Sequence, residues 1–572
     1  MTAAQIRDKI IAAVSENGGH LASSLGAVEI SMALAKVFEP RRDRIIWDVG
    51  HQAYAWKILT GRDISSLRKL GGVSPFPNPN ENAADAAVAG HAGVALSVAL
   101  GMAAARDRMG SGENVVAVIG DGAIVNGTSF EALNNCSMAT NKVIVVLNDN
   151  EMSISRPTGS FAKLLGKLIT GVRYNRIKAA TEAAGHKLKL TPLRGIYHRI
   201  ESTIKSWFVG NRFFEQFGLR YIGPIDGHNL KALESAFVVA KEDKRSVIVH
   251  VVTKKGKGFS PAEKDPTAWH GVSRFSIDDP RLEERKRDWS ASFGEALVAA
   301  ARADKRIVAI TAGMRDGTGL GEFAKEFPDR FFDVGIAEGH MVAFAAGLAA
   351  AGMRPVVAVY STFMQRAADQ IMHDVAIAGL PVVFCVDRAG VVGADGVTHQ
   401  GVFDIAWMRS LPNMTLCQPK DDDDLNALLK EALARNGPTI IRYPRGAVPA
   451  ADDCRCDGAL SAQLCRADAK TQIWAAGDQI AKARAVADRT GAGVVFARYL
   501  KPFDSNLLTA QRAAGMRIVT LENGALAGGF GEAIGADLKF GWPDEFVPHG
   551  TLSELEEKYR FDEASIMEAI NG

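Results

Sequence analysis

A chain of 572 residues exceeds what one hydrophobic core supports, so about three or four domains are expected. Its 47% hydrophobic and 23% charged content is ordinary for a globular protein, and 67 Lys+Arg against 65 Asp+Glu leave a formal net charge of +2. That balance excludes a nucleic-acid-binding surface spread over the whole molecule. Cys136, Cys385, Cys417, Cys454, Cys456 and Cys465 are too few for a disulfide framework in so long a chain. The last three cluster but lack the paired spacing of a zinc site, so free thiols are expected. Met1–Asn17 is amphipathic and mixed in charge, without the apolar core of a signal peptide. The apolar stretch Val342–Met353 falls short of the roughly 20 residues needed to span a bilayer. The expected setting is the reduced cytoplasm, without membrane insertion.

The predicted elements alternate along the chain. Residues 1–288 form a first section of Ala-rich helices and short Val/Ile strands at Val115–Ile119, Val143–Leu147 and Ser246–Thr253. Thr128–Met138 is amphipathic and long enough for a crossover helix between the first two strands. From Ala162 to Gly218 the sequence is rich in Lys and Arg, with only Glu182, Glu201 and Glu215 acidic. It reads as solvated helix faces, or as a mobile basic flap over an anionic ligand or a membrane-facing helix pair. Asp278–Asp288, charged and Pro-containing, reads as a linker. A second section, 289–449, has strands at Ile307–Thr311, Arg330–Val334, Pro355–Tyr360, Pro381–Val386, Met414–Gln418 and Thr439–Tyr443. Asp421–Asp424 reads as an acidic first turn that complements a helix dipole. A polar break, Ala450–Lys470, opens a third section, 450–572, with strands near Gln472–Ala475, Gly493–Ala497 and Arg517–Leu521. Strands alternating with helices imply an α/β protein: three doubly wound domains with mostly parallel sheets.

Two polar turns carry the first chemistry. Asp121 in Gly120-Asp121-Gly122-Ala123 and Asn150 in Asn148-Asp149-Asn150-Glu151-Met152 each follow a buried-type strand. Both turns are expected at the carboxyl edge of neighbouring strands, where open α/β sheets bind ligands. The Asp121 carboxylate, the Asn150 amide oxygen and the Met152 carbonyl are hard oxygen donors suited to Mg²⁺, which keeps positions open for phosphate oxygens. In the second section Glu338, in Asp333-Val334-Gly335-Ile336-Ala337-Glu338-Gly339-His340, stands where a strand exits and an Ala-rich helix begins. A diphosphate clamp in one section and an acid in another is the division thiamine diphosphate needs. One domain holds the diphosphate, and the other offers a carboxyl group that shares a proton with the aminopyrimidine ring.

Further motifs recur in order: Gly18-Gly19-His20-Leu21-Ala22-Ser23, Asp48-Val49-Gly50-His51-Gln52-Ala53-Tyr54, Gly90-His91-Ala92, Tyr360-Ser361-Thr362-Phe363, Asp387-Arg388-Ala389-Gly390, the run from Gly393 to Gly401, and Arg442-Tyr443-Pro444-Arg445-Gly446. With the two turns and Glu338, the chain resembles the 1-deoxy-D-xylulose-5-phosphate synthase family of the transketolase superfamily over nearly its whole length. The resemblance implies a transketolase-like homodimer, with the cofactor between sections one and two of the same subunit. It also implies condensation of pyruvate with D-glyceraldehyde 3-phosphate, with loss of CO₂. By the same resemblance, Asp121, Asn150 and Met152 match the Mg²⁺ ligands. His51, Gly90, His91, Ala92, Gly122, Ala123, Lys255 and Phe259 match positions lining thiamine diphosphate. Glu338 matches the activating acid, and Phe363 the ring packed on the aminopyrimidine. His20, His51, His270, Asp395 and His399 match polar groups around the substrate carbonyls, and Tyr360, Arg388 and Arg445 the phosphate site. His340 is expected to serve packing. Gly339 stands where that family usually has Gln, and Ala92 where it has Ser. The alternative reading is a transketolase or related thiamine-dependent ligase with another donor or acceptor.

Overall fold

The computed structural model describes residues 1–150, 213–280, 287–450, 456 and 458–572. Met152, Cys454 and most of the basic 162–218 segment lie outside the described residues. The chain divides into two compact units, Met1–Leu67 with Val73–Leu282, and Arg68–Gly72 with Glu283–Gly572.

The first unit is built on strands β1 (Arg44–Trp47), β2 (Val115–Gly120), β3 (Ile144–Asp149), β4 (Arg220–Asp226) and β5 (Val247–Val252). All pairs are parallel, in the order β1-β2-β3-β5-β4. The central strands are continuous Val/Ile runs because both faces are covered. Val116, Val118, Ile144, Val146, Val247 and Val249 face one way, onto Ile30, Leu34 and Phe237 of the helices Val28–Val37 and Leu230–Glu242. The expected crossover helix spans Gly127–Ala139, opened by the Asn126 side chain accepting the Thr128 N–H. Gly120 is in register with Asn148, so the β2 and β3 tips are adjacent.

The second unit contains two sheets. Its strands are β6 (Ile307–Thr311), β7 (Phe331–Asp333), β8 (Arg354–Tyr360), β9 (Val383–Asp387), β10 (Thr415–Cys417), β11 (Thr439–Arg442), β12 (Ala462–Cys465), β13 (Thr471–Ala475), β14 (Gly493–Phe496), β15 (Tyr499–Lys501), β16 (Arg517–Ala525) and β17 (Leu538–Trp542). One sheet runs β15-β10-β11-β9-β8-β6-β7, the other β12-β14-β13-β16-β17, and only the edge strands β15 and β12 pair antiparallel. Strand β12 falls inside the stretch expected to be a polar break. Asp421 caps the helix Asp422–Ala434, and Asp424 also pairs at 2.7 Å with the buried Arg498. Cys136, Cys385, Cys417, Cys456 and Cys465 are free thiols. No helix among the described residues is long and apolar enough to cross a membrane.

A buried node ties the second unit together. Arg442 at the end of β11 is fully buried and reaches Asp404 Oδ2 at 3.0 Å, Gln418 Oε1 at 2.6 Å and the Asn523 carbonyl at 2.8 Å. Arg442→Met removes the cation but leaves the Asp404 carboxylate in the interior. The expected loss is about 3–5 kcal/mol of unfolding free energy. Denaturant unfolding measures it, and a loss below about 1 kcal/mol would contradict the role given to the node.

Candidate active-site residues in the two units

In the first unit the chemistry gathers at the β2 and β3 tips. Asp121 opens the short helix Asp121–Ile124 directly after β2 and is 6% exposed. Burial, and then the charge of Asp149, push its carboxyl up to about 8. Lys255, on the turn after β5, is also buried; burial lowers its ammonium to about 8, with Asp121 working the other way. A divalent cation beside Asp121 would offset the cost of burying this carboxylate next to Asp149, so the donor set fits a metal. Asn150 follows β3 and is partly exposed, while Gly122 and Ala123 lie in the turn with Asp121.

Around these tips sit groups that sequence reasoning missed. Asp149 Oδ2 lies 3.0 Å from His250 Nε2, and His250 Nδ1 lies 2.7 Å from the Tyr221 hydroxyl. This chain links the end of β3 to the middle of β5 and the start of β4. Asn148 is held by Gln52 (2.7 Å) and Thr253 (2.7 Å), which leaves Asn150 as the amide beyond the strand. Asp48, 1% exposed, accepts the N–H groups of Gly93 (2.8 Å), Val94 (3.1 Å) and Ala95 (3.0 Å). It thereby fixes the Gly90-His91-Ala92 loop against the start of the helix Ala95–Met109. Gly93 has φ +84°, and a Cβ there would come within 2.5 Å of Asn126, so only glycine allows this approach.

The structure brings together three of the expected histidines. Ring centroids are 6.2 Å apart for His20 and His51, 5.8 Å for His20 and His270, and 5.4 Å for His51 and His270. Ser23 Oγ is 3.2 Å from His270 Nδ1. Burial, followed by His20 and Lys255, holds His51 well below the ordinary imidazole range. Burial, followed by Lys255 and the other two rings, does the same for His270. Both rings are therefore neutral at physiological pH and able to accept or donate a proton. Phe259 packs edge-on against Trp269, with ring centroids 5.1 Å apart.

In the second unit Glu338 is the first residue of the helix Glu338–Ala350 and is 3% exposed. Burial raises its carboxyl, and Arg366, with Nη1 3.6 Å from Oε2, offsets this only partly. Oε2 has no hydrogen-bond partner among the described residues. A buried carboxyl of this kind can hold a proton and share it with a ring nitrogen, which fits an aminopyrimidine. Beside it, a Cβ on Gly339 would lie 3.3 Å from Gln370 Oε1, so the Gln370 amide covers this helix start. His340 is exposed, and its ring lies tilted beside that of Phe344, with centroids 5.8 Å apart.

Tyr360, Arg388 and Arg445, the residues expected at the phosphate, all lie in the second unit. Arg388, in left-handed backbone (φ +58°), lays its guanidinium 3.8 Å from the Tyr360 ring centre and donates to the Gly317 carbonyl at 2.9 Å. Tyr360 stacks on Phe363 (5.8 Å), and Phe363 meets His399 edge-on (5.5 Å). Asp395 is gripped by Arg68 at 2.9 Å, with the half-exposed Arg445 at 3.8 Å. Arg68 was not foreseen: it stands far from these residues in sequence but belongs to the second unit. Burial lowers His399, with Asp395 opposing and Arg68 and Arg445 reinforcing.

Residues 1–253 match the family model described as 1-deoxy-D-xylulose-5-phosphate synthase, and residues 285–450 that of the transketolase pyrimidine-binding domain. The 1-deoxy-D-xylulose-5-phosphate synthase of Desulforudis audaxviator is 46% identical, covering 97% of this chain and 92% of that protein. Those of Syntrophomonas wolfei (44% identical; 99% and 93% covered) and Clostridium acetobutylicum (43%; 99% and 95%) are similar over equal lengths. Among solved structures, the transketolase from Leishmania mexicana aligns over 99% of this chain and 96% of its own, at 17% identity and a TM-score of 0.45.

Proposed function

Because this chain belongs to the 1-deoxy-D-xylulose-5-phosphate synthase family, we propose that it joins pyruvate to D-glyceraldehyde 3-phosphate, releasing CO₂ and forming 1-deoxy-D-xylulose 5-phosphate. It is a thiamine diphosphate-dependent transferase of the transketolase superfamily. Within the structure, the observation that carries the reading is Glu338: a buried carboxyl held up in its proton affinity, with an oxygen left to share a proton. Product identification from pyruvate plus glyceraldehyde 3-phosphate tests it. CO₂ release that needs both substrates supports the assignment, whereas turnover of ketose donors alone would overturn it.

When bound, thiamine diphosphate supplies a carbon nucleophile and an electron sink for decarboxylation. Asp121, Asn150 and Met152 would hold Mg²⁺ against the diphosphate, with Gly90, His91, Ala92, Gly122, Ala123, Lys255 and Phe259 lining it. Glu338 would hold a proton for the aminopyrimidine, and Phe363 would lie against that ring. His20, His51 and His270 of the first unit, and His399 and Asp395 of the second, would exchange protons with the substrate oxygens. Since burial depresses His51 and His270, neither protonates in the ordinary imidazole range. The acid limb of kcat/KM that they set is therefore expected below about pH 6.5. A pH–rate profile with that limb above pH 7 would contradict their assignment.

Tyr360, Arg388 and Arg445 take the acceptor phosphate, since guanidinium groups bind phosphate with two parallel hydrogen bonds. Arg445→Ala is expected to raise KM for glyceraldehyde 3-phosphate about 10–100-fold, as loss of a charged hydrogen bond implies. KM for pyruvate should be unchanged. Equal loss with unphosphorylated glyceraldehyde would remove Arg445 from this role. The domain division 1–288, 289–449 and 450–572 and a cytoplasmic setting belong to the same proposal. So does a homodimer, supported by Met372 and Ile377, which are 46% and 71% exposed beside the Glu338 helix. Light scattering at micromolar concentration checks the subunit count.

A further inference from the structure

The turn Lys254-Lys255-Gly256-Lys257-Gly258 puts Lys255 into the interior of the first unit, where Asp121 is its electrostatic partner. Its path is fixed at several points. Gly256 N–H donates to the Ala22 carbonyl (2.8 Å), and Gly258 N–H to Glu263 Oε1 (2.8 Å). Gly258 also passes so close to the Arg7 side chain that a Cβ would lie 2.7 Å from its Cδ. At the entrance, the Lys254 N–H donates to His228 Nε2 at 2.8 Å. That bond dictates the tautomer of His228: Nε2 carries the lone pair, so the ring proton sits on Nδ1. Nδ1 lies 3.2 Å from Glu29 Oε2, the carboxylate that receives it. Glu29, 7% exposed, is held in turn by Arg7 Nη2 at 2.7 Å, and its carboxyl stays charged, lowered to about 2 by His228 and Arg7 against the pull of burial. A fixed anion on one side of the imidazole thus secures an acceptor on the other, as second-layer carboxylates do for metal-bound histidines.

We propose that His228 is a positioning residue for the cofactor: through the Glu29-held tautomer it accepts the Lys254 N–H and so holds Lys255 toward Asp121. The proposal deepens the reading of Lys255 as a diphosphate contact and rests on that reading. His228 itself touches neither substrate nor reacting atoms.

The test measures thiamine diphosphate affinity of the full chain at fixed Mg²⁺ by calorimetry, beside steady-state kinetics at saturating cofactor. His228→Ala is expected to raise the cofactor dissociation constant about tenfold, the scale of one lost hydrogen bond. KM for glyceraldehyde 3-phosphate should stay within about twofold. His228→Gln, whose amide oxygen reaches the Lys254 N–H, should restore most of the affinity. His228→Asn, one carbon too short, should bind as poorly as alanine, and this pair reads the acceptor alone should the alanine variant fail to fold. Equal cofactor affinity in the glutamine and asparagine variants would overturn the proposal. So would a parallel rise of both constants, the mark of general loosening. Failure of the unaltered chain to bind thiamine diphosphate would refute the proposed function instead.

Discussion

Glu338→Ala is expected to lower kcat by about 10²–10⁴-fold, the scale of a lost general acid–base group, while cofactor affinity changes little. Glu338 is 3% exposed at the start of its helix, and Arg366 at 3.6 Å does not restore its ordinary proton affinity. A carboxyl raised in the folded state binds its proton more tightly there than in the unfolded chain. The native state therefore loses stability as pH rises from the ordinary carboxyl range through the raised value. Alanine removes that penalty, so the melting temperature at neutral pH should hold or rise while turnover collapses. Glu338→Gln keeps the shape but cannot exchange the proton, and should be about as inactive. A residue serving only to start a helix would behave in the opposite way, losing stability and keeping turnover. Turnover within about threefold of the unaltered enzyme would end the assignment.

The buried centre of each sheet was legible in the sequence; of the six edge strands only β7 was. The twelve expected strands are present with ends shifted by a few residues, and the five that were missed, β1, β4, β12, β15 and β17, are all edge strands. A central parallel strand must be apolar on both faces and so announces itself, whereas an edge strand has no such need. β4 shows this plainly: it carries Gly223-Pro224 at a break in register, which an interior strand could not tolerate. The same limit applies to the candidate site. Asp121, Asn150 and Glu338 stand at the ends of recognisable strands or the start of a helix, and short motifs carry His20, His51 and Arg388. Asp48, His250, Tyr221 and Arg68 matter through partners remote in sequence: Asp48 binds the loop after Ala92, His250 binds Asp149, and Arg68 binds Asp395. No local pattern encodes such pairings, because the fold alone creates them. The Gln370 amide over Gly339 is of the same kind.

Asp121→Asn is expected to weaken Mg²⁺-dependent binding of thiamine diphosphate by more than about 100-fold, beyond the loss typical when a group merely supporting a metal ligand is removed. The amide keeps the size of the carboxylate but not its charge, and Mg²⁺ binds through charged oxygens. Without metal the effect should reverse. In the unliganded protein this carboxylate is 6% exposed and faces the charge of Asp149, so neutralising it relieves both burial and repulsion. Thermal unfolding separates the two states. Without Mg²⁺ and cofactor, Asp121→Asn should melt at or above the unaltered protein. With both at a hundred times the native dissociation constant, the unaltered protein gains about 2.7 kcal/mol, and the variant should gain less than half as much. An aspartate that only capped its short helix would destabilise the protein in both conditions, and that outcome would remove Asp121 from the metal site.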